Sequence, residues 1–251
     1  MNVDSETDYI AALIELHRGL KRQGPGDDEF SRHLLQELAA YLPVNPRIAD
    51  LGCGSGAASL LLANDYHSRV LAVDLSAEFI AELSTRAQAA GLADFITPIN
   101  ADMADLNWPN ESIDLLWSEG AAYQLGFENA LTRWRPLIRS GGIAVISEMS
   151  WFIDDAPPPA QTYWQTAYPT MANELDNMAR AKRAGFHVLI TRRLPSAAWW
   201  ANYYEPLKIR IQQLNSESSL APVLRETEQE MALFAQYSDH YGYTFYVLQA
   251  C

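Results

Sequence analysis

Residues 50 to 56 read Asp50-Leu51-Gly52-Cys53-Gly54-Ser55-Gly56, an acid followed by three glycines at alternate positions. Glycines spaced this way let the backbone turn sharply and approach a ligand where any side chain would collide. A helix opening near Ser55 aims its free N–H groups and the positive end of its dipole at the same bend, which suits a carboxylate or a phosphate. Alone, the bend is ambiguous, because Gly52-x-Gly54-x-x-Ala57 also satisfies the dinucleotide fingerprint. Asp74 lies about 20 residues further on, where an acid accepts hydrogen bonds from ribose hydroxyls in either kind of nucleoside. Two further carboxylates discriminate. Asp50 stands beside the bend and would repel a diphosphate, whereas it would welcome an ammonium. Asp102, in Asn100-Ala101-Asp102-Met103, is placed to accept from the exocyclic amine of adenine.

Segments beyond the fourth and fifth strands hold the next candidates, Glu119 to Gln124 and Glu148 to Phe152, because ligands in open α/β sheets sit outside the carboxyl ends of the strands. Glu119 is the first candidate for a base or for a partner to a cationic amine, and Glu148 the second. The alternative for both acids is solvation or pairing with an arginine. Tyr123, Trp151 and Trp199 are the candidates for acceptor binding. The second half is rich in aromatics, including Tyr163, Trp164, Tyr168, Trp200, Tyr203 and Tyr204. They would form either a cage for an ammonium by cation–π attraction or the apolar core beneath a cap. The histidines His17, His33, His67, His187 and His240 are scattered, and with no C-x-x-C or H-x-x-x-H spacing no metal site is expected. Cys53 has no base beside it in sequence and reads as a small packing residue.

The elements that must position these residues follow from periodicity. Helices are predicted over 6–20 and 28–42, joined by Arg22-Gln23-Gly24-Pro25-Gly26, a turn expected to fold over the ligand near His17. From residue 46 short apolar strands alternate with helices. Strands are predicted at 47–51, 69–74, 95–100, 113–117 and 143–149, with helices at 55–64, 76–90 and 127–138. Such alternation implies right-handed crossovers and a parallel sheet covered on both faces. A helix over 160–184 interrupted near Pro169, a strand at 186–191, a helical insertion over 197–237 and a strand at 243–249 complete the pattern. The expectation is an α/β, Rossmann-like, doubly wound and mostly parallel sheet of seven strands with a helical cap. Residues 1–45 would cover the cofactor, 46–150 form the core that binds it, and 151–251 complete the sheet and carry the aromatic cap.

The set DLGCGSG, AVDLS, NADM, IDLLWSEGAAY and LIRSGGIAVISE resembles, in order and separation, the successive motifs of class I methyltransferases that use S-adenosylmethionine (SAM). The resemblance covers roughly residues 45 to 150. It implies that Asp50, Gly52, Cys53, Gly54 and Gly56 line the methionine end of SAM and that Asp74 with Leu75 holds the ribose. It also implies that Asp102 with Met103 brackets adenine, and that Glu119, Gly120 and Ala121 face the methyl group. The flanking RQGPGDDE and SEMSWF are similar to a bacterial branch acting on small molecules. Ser118-Glu119-Gly120 departs from the Asn-Pro-Pro-Tyr or Asp-Pro-Pro-Tyr signature of enzymes that methylate nucleic-acid amines. The implied activity is methyl transfer from SAM to a small-molecule acceptor by in-line displacement, in which orientation supplies much of the rate. An NAD(P)-dependent oxidoreductase and a SAM-binding protein without catalysis are the alternatives.

Charge points the same way. The net charge is -13, and residues 1–150 hold 21 acids against 10 bases. That surface repels phosphate backbones, so no nucleic-acid partner is expected. No apolar run reaches the roughly 18 residues needed to cross a bilayer, and Met1 to Thr7 is polar and acidic where a signal peptide is basic and then apolar. A cytoplasmic protein with free Cys53 and Cys251 is expected, and the aromatic cap is a candidate homodimer surface.

Overall fold

The computed structural model describes residues 3–251; the reading of Met1 to Thr7 as leaderless falls partly outside them. Helix α1 (Val3–His17) is followed by the glycine-proline turn and by α2 (Asp28–Leu38). Asp27 starts α2 by accepting from the Phe30 N–H at 2.8 Å, a side-chain cap for one of the helix's unpaired donors. The core then runs β1 (Ile48–Leu51), α3 (Ala57–Tyr66), β2 (Val70–Asp74), α4 (Ala77–Ala89), β3 (Ile96–Asn100), β4 (Ile113–Ser118), α5 (Phe127–Trp134) and β5 (Ile138–Trp151). Strand β5 starts earlier than its apolar run because Gly141, at φ +73°, lets the chain bulge where the β4–β5 register shifts.

Beyond β5 come α6 (Pro158–Ala167), β6 (Ala172–Asn173), α7 (Glu174–Arg183) and β7 (Phe186–Arg193). Pro169 disfavours helical geometry at Tyr168, so α6 ends there and the predicted single helix becomes two with a short strand between them. The insertion expected as one helical stretch is α8 (Ser196–Trp199), a π-helical turn over Trp200–Tyr204, α9 (Glu205–Leu214) and α10 (Ala221–Tyr237), before β8 (Tyr241–Ala250).

The strand order is β3-β2-β1-β4-β5-β8-β7, with β6 beside the end of β5. This is the predicted seven-stranded arrangement plus one two-residue strand. Strand β8 runs antiparallel to both neighbours and the others are parallel. Side chains alternate across the sheet, so Ala49 and Leu51 pack toward α5 and α7 while Ile48 packs with α2, α3 and α4. Buried Trp199, Tyr204 and Phe234 join the second layer and root the cap in the main core. Among the described residues no helix is long and apolar enough to cross a membrane.

Candidate active site

At the carboxyl end of β1 the chain turns through Gly52, Gly54 and Gly56, each at positive φ. A side chain at Gly52 would collide with Ala121 and one at Gly56 with Leu83, so glycine is required by contact as well as by torsion. Helix α3 begins at Ala57, two residues later than the spacing predicts, because left-handed Gly56 occupies its cap. The bend opens on a cavity of about 730 Å³ that extends from Asp102 past Glu119 to α1 and α10.

Asp50, Gly52, Cys53, Gly54, Asp74, Leu75, Asp102, Met103, Glu119, Gly120 and Tyr123 all border this cavity, whereas buried Gly56 stands behind the bend. Asp50 is 1% exposed, and its one hydrogen-bond partner is the Ser59 hydroxyl at 2.6 Å. Burial, reinforced by nearby Glu119 and Asp74, pushes its carboxyl up to about 7. Asp74 accepts the Gly54 N–H on one oxygen and the Ser76 N–H on the other, both at 2.8 Å. Those bonds fix the carboxylate and leave a lone pair on each oxygen for further donors. Asp102 is held through the Ala104 N–H at 2.8 Å and is otherwise open to the cavity.

The turn between α1 and α2 closes over the bend. Gln23 Oε1 accepts the Ser55 N–H at 2.8 Å, a donor in the bend just ahead of α3. Arg22 is buried and donates to Glu119 at 2.7 Å and to Asp28 at 2.5 Å. The other oxygen of Glu119 receives Trp117 Nε1 at 2.8 Å and Ser31 Oγ at 3.2 Å. Both oxygens are therefore engaged, and Glu119 anchors the turn instead of standing free as a base.

Three other candidates lie away from the cavity. Glu148 is 2% exposed and, by strand alternation with Ala144 and Ile146, points to the α5 face; burial raises its carboxyl to about 8. Trp199 is 1% exposed, stacked on Phe234 at 4.3 Å between ring centroids and packed on Tyr243. Trp151 packs edge-on against Tyr241. Trp199 is part of the buried core and Trp151, half-buried, packs against it; neither borders the cavity. Conversely, the cavity includes Tyr9, His17, Arg22, Gln23, Glu226 and Glu230, of which only His17 and the turn are suggested by sequence. The acids stand four apart on α10, a spacing that puts them on one helix face, yet nothing local marks that face as inward.

The strand order, the bend after β1 and acids at the carboxyl ends of β1, β2 and β3 define a Rossmann-like core. Residues 48–142 match the family model described as a methyltransferase domain. Over those residues the chain is similar to a methyltransferase domain. Its fold is that of a SAM-dependent methyltransferase from Geobacter sulfurreducens crystallised with S-adenosyl-L-homocysteine (TM-score 0.78, 21% identity, covering 96% of this chain and 98% of that one). It is also that of YjhP from E. coli (TM-score 0.82, 22% identity, 96% and 99%). The 27-O-demethylrifamycin SV methyltransferase of Amycolatopsis mediterranei is 28% identical over 93 residues, 36% of this chain and 34% of that protein. Two further curated relatives are matched over 15% and 41% of their own lengths.

Proposed function

We propose that the protein transfers the methyl group of SAM to a small-molecule acceptor. The observation that carries this reading is Asp50, a buried carboxyl bordering the ligand cavity with one hydroxyl for company and no cation paired to it among the described residues. Such a group calls for a positive charge and would repel the diphosphate of a dinucleotide. Asp74 suits the ribose, and Asp102 the adenine amine, with Leu75, Phe79 and Met103 as apolar surface beside it. Bound in this orientation, SAM supplies an electrophilic methyl carbon on its sulfonium.

The chain's own contribution is placement. Gln23 and Arg22 fasten the turn over the bend, which shields the reacting atoms from water. Glu119 holds Arg22 and fixes the wall facing the acceptor, so it is a positioning residue. Gly120, whose N–H donates to Ser147 Oγ at 2.8 Å, keeps that wall free of a side chain. With acceptor and donor held in line, orientation supplies the acceleration and a dedicated base is not obligatory.

Melting curves test the reading. SAM and S-adenosylhomocysteine at about a hundred times their Kd should stabilise the protein by roughly 2.7 kcal/mol, and NAD(H) and NADP(H) should not. Stabilisation by a nicotinamide cofactor alone would overturn it. Labelled methyl-SAM and a metabolite extract should yield a labelled product by mass spectrometry.

A further inference from the structure

The cavity continues beyond Glu119 into a chamber between α1, α10 and the π-helical turn. His17 is nine-tenths buried there, with Nδ1 2.8 Å from the Leu13 carbonyl. A carbonyl only accepts, so Nδ1 carries the hydrogen, and burial favours the neutral ring. Nε2 is then a lone pair, and the Tyr203 hydroxyl donates to it at 3.0 Å. Likewise the Tyr9 hydroxyl donates to Glu226 Oε2 at 2.6 Å, and the Tyr204 hydroxyl to Glu230 Oε1 at 2.7 Å. All three hydroxyl hydrogens are spent on neighbours. The chamber therefore meets oxygen lone pairs on Tyr9 and Tyr203 and negative charge on Glu226 and Glu230.

Cations do not balance that charge. Arg22 borders the cavity but is held between Glu119 and Asp28. Among the described residues no lysine or arginine pairs with Glu226 or Glu230, whose spacing on α10 sets like charges one turn apart. Burial, with Glu226 adding to it, holds the Glu230 carboxyl above the usual range. Tyr123, whose hydroxyl accepts from Gln124 Nε2 at 2.6 Å, retains its own hydrogen, and these two side chains place donors beside the acceptors.

We propose that the acceptor molecule carries a protonated amine, received by Glu226 and Glu230 between the rings of Tyr9 and Tyr203. An ammonium brings three donors and no acceptor, the complement of this wall, and tyrosine faces add cation–π attraction. A carboxylate or phosphate of the same shape meets repulsion. This assignment rests on the reading of the deeper half of the cavity as the SAM site.

The test uses the full chain saturated with S-adenosylhomocysteine and two matched pairs of probes. Tyramine is set against 3-(4-hydroxyphenyl)propionate, and putrescine against adipate, by calorimetry and melting. At least one amine should bind about tenfold or more tightly than its carboxylate counterpart, and more weakly at high salt. Glu230→Gln and Glu226→Gln should each remove about tenfold of the amine's affinity while leaving S-adenosylhomocysteine binding unchanged, which also shows that the variants fold. Equal or tighter binding of the carboxylates, or amine affinity indifferent to both substitutions, overturns the amine assignment and leaves the methyltransferase reading standing. Failure of S-adenosylhomocysteine to bind the unaltered protein overturns the reading beneath it.

Discussion

Asp50 combines two properties that conflict in the free protein: it lies nearly out of reach of water, and it borders a cavity with no cation paired to it among the described residues. Burial holds its pKa near 7, and an ammonium beside it favours the ionised form, so ligand binding below that pH must expel a proton. Affinity for S-adenosylhomocysteine should therefore rise between pH 6 and 7.5 and level off above. Calorimetry in buffers of different ionisation enthalpy should detect the released proton at pH 6. Asp50→Asn should flatten this profile and weaken binding by about tenfold, the scale of one charged hydrogen bond; an unchanged profile would remove Asp50 from the ligand's surroundings. Asp50, Asp74 and Asp102 are legible in the sequence because each lies at or just beyond the carboxyl end of a strand whose apolar run is plain. The turn that carries Arg22 and Gln23 is legible too, but the partners of those two side chains and the place of Glu230 are not, since they meet the site from distant segments. Arg22 meets a partner 97 residues away, and Gln23 meets one 32 away.

The π-helical turn at Trp200–Tyr204 directs three consecutive side chains to different purposes. Asn202 Nδ2 donates to the Gly26 carbonyl at 3.0 Å and to Asp27 at 2.8 Å, Tyr203 faces His17, and Tyr204 is directed to Glu230. Extra backbone of this kind commonly accompanies functional sites. The effect here is to latch the cap onto the turn that closes the cofactor end. Asn202→Ala should leave the fold intact, raise amide exchange across residues 20–27, and weaken S-adenosylhomocysteine binding by about threefold to tenfold. Unaltered protection of that segment would show that the turn closes without the latch. The sequence shows that the stretch from 197 to 237 is helical, but neither its breaks nor this turn. A π segment has no composition of its own; it arises where tertiary contacts pull neighbouring side chains apart. The same limit applies to Trp151 and Trp199, because aromatic content looks alike whether rings line a cavity or fill a core.

At the scale of the whole molecule, the buried acids set how stability depends on pH. Folded pKa values near 7 for Asp50 and near 8 for Glu148 exceed the ordinary carboxyl range, so between about pH 4 and 8 the folded state binds more protons than the unfolded chain. Stability contributed by these protons is complete below the unfolded pKa and is lost as pH rises through the folded values. The net charge of -13 acts in the same direction through self-repulsion. Buried neutral His17 acts the other way, since its ring would charge on unfolding below its ordinary pKa. Asp114, held down to about 2 by Arg47 and Arg139, lends stability that is lost as pH falls below about 4. The free protein should therefore be most stable near pH 5 and melt about 5 to 10 °C lower at pH 8.5, a change on the order of a few kcal/mol for a chain of this size. Glu148→Gln isolates one contribution, because the glutamine fills the same buried space without a charge. The variant should match the natural protein near pH 5.5 and melt above it at pH 8.5, flattening the slope. A slope that Glu148→Gln leaves intact would place the pH dependence elsewhere, and Asp50→Asn is then the variant that separates the ligand site from the remaining buried acids.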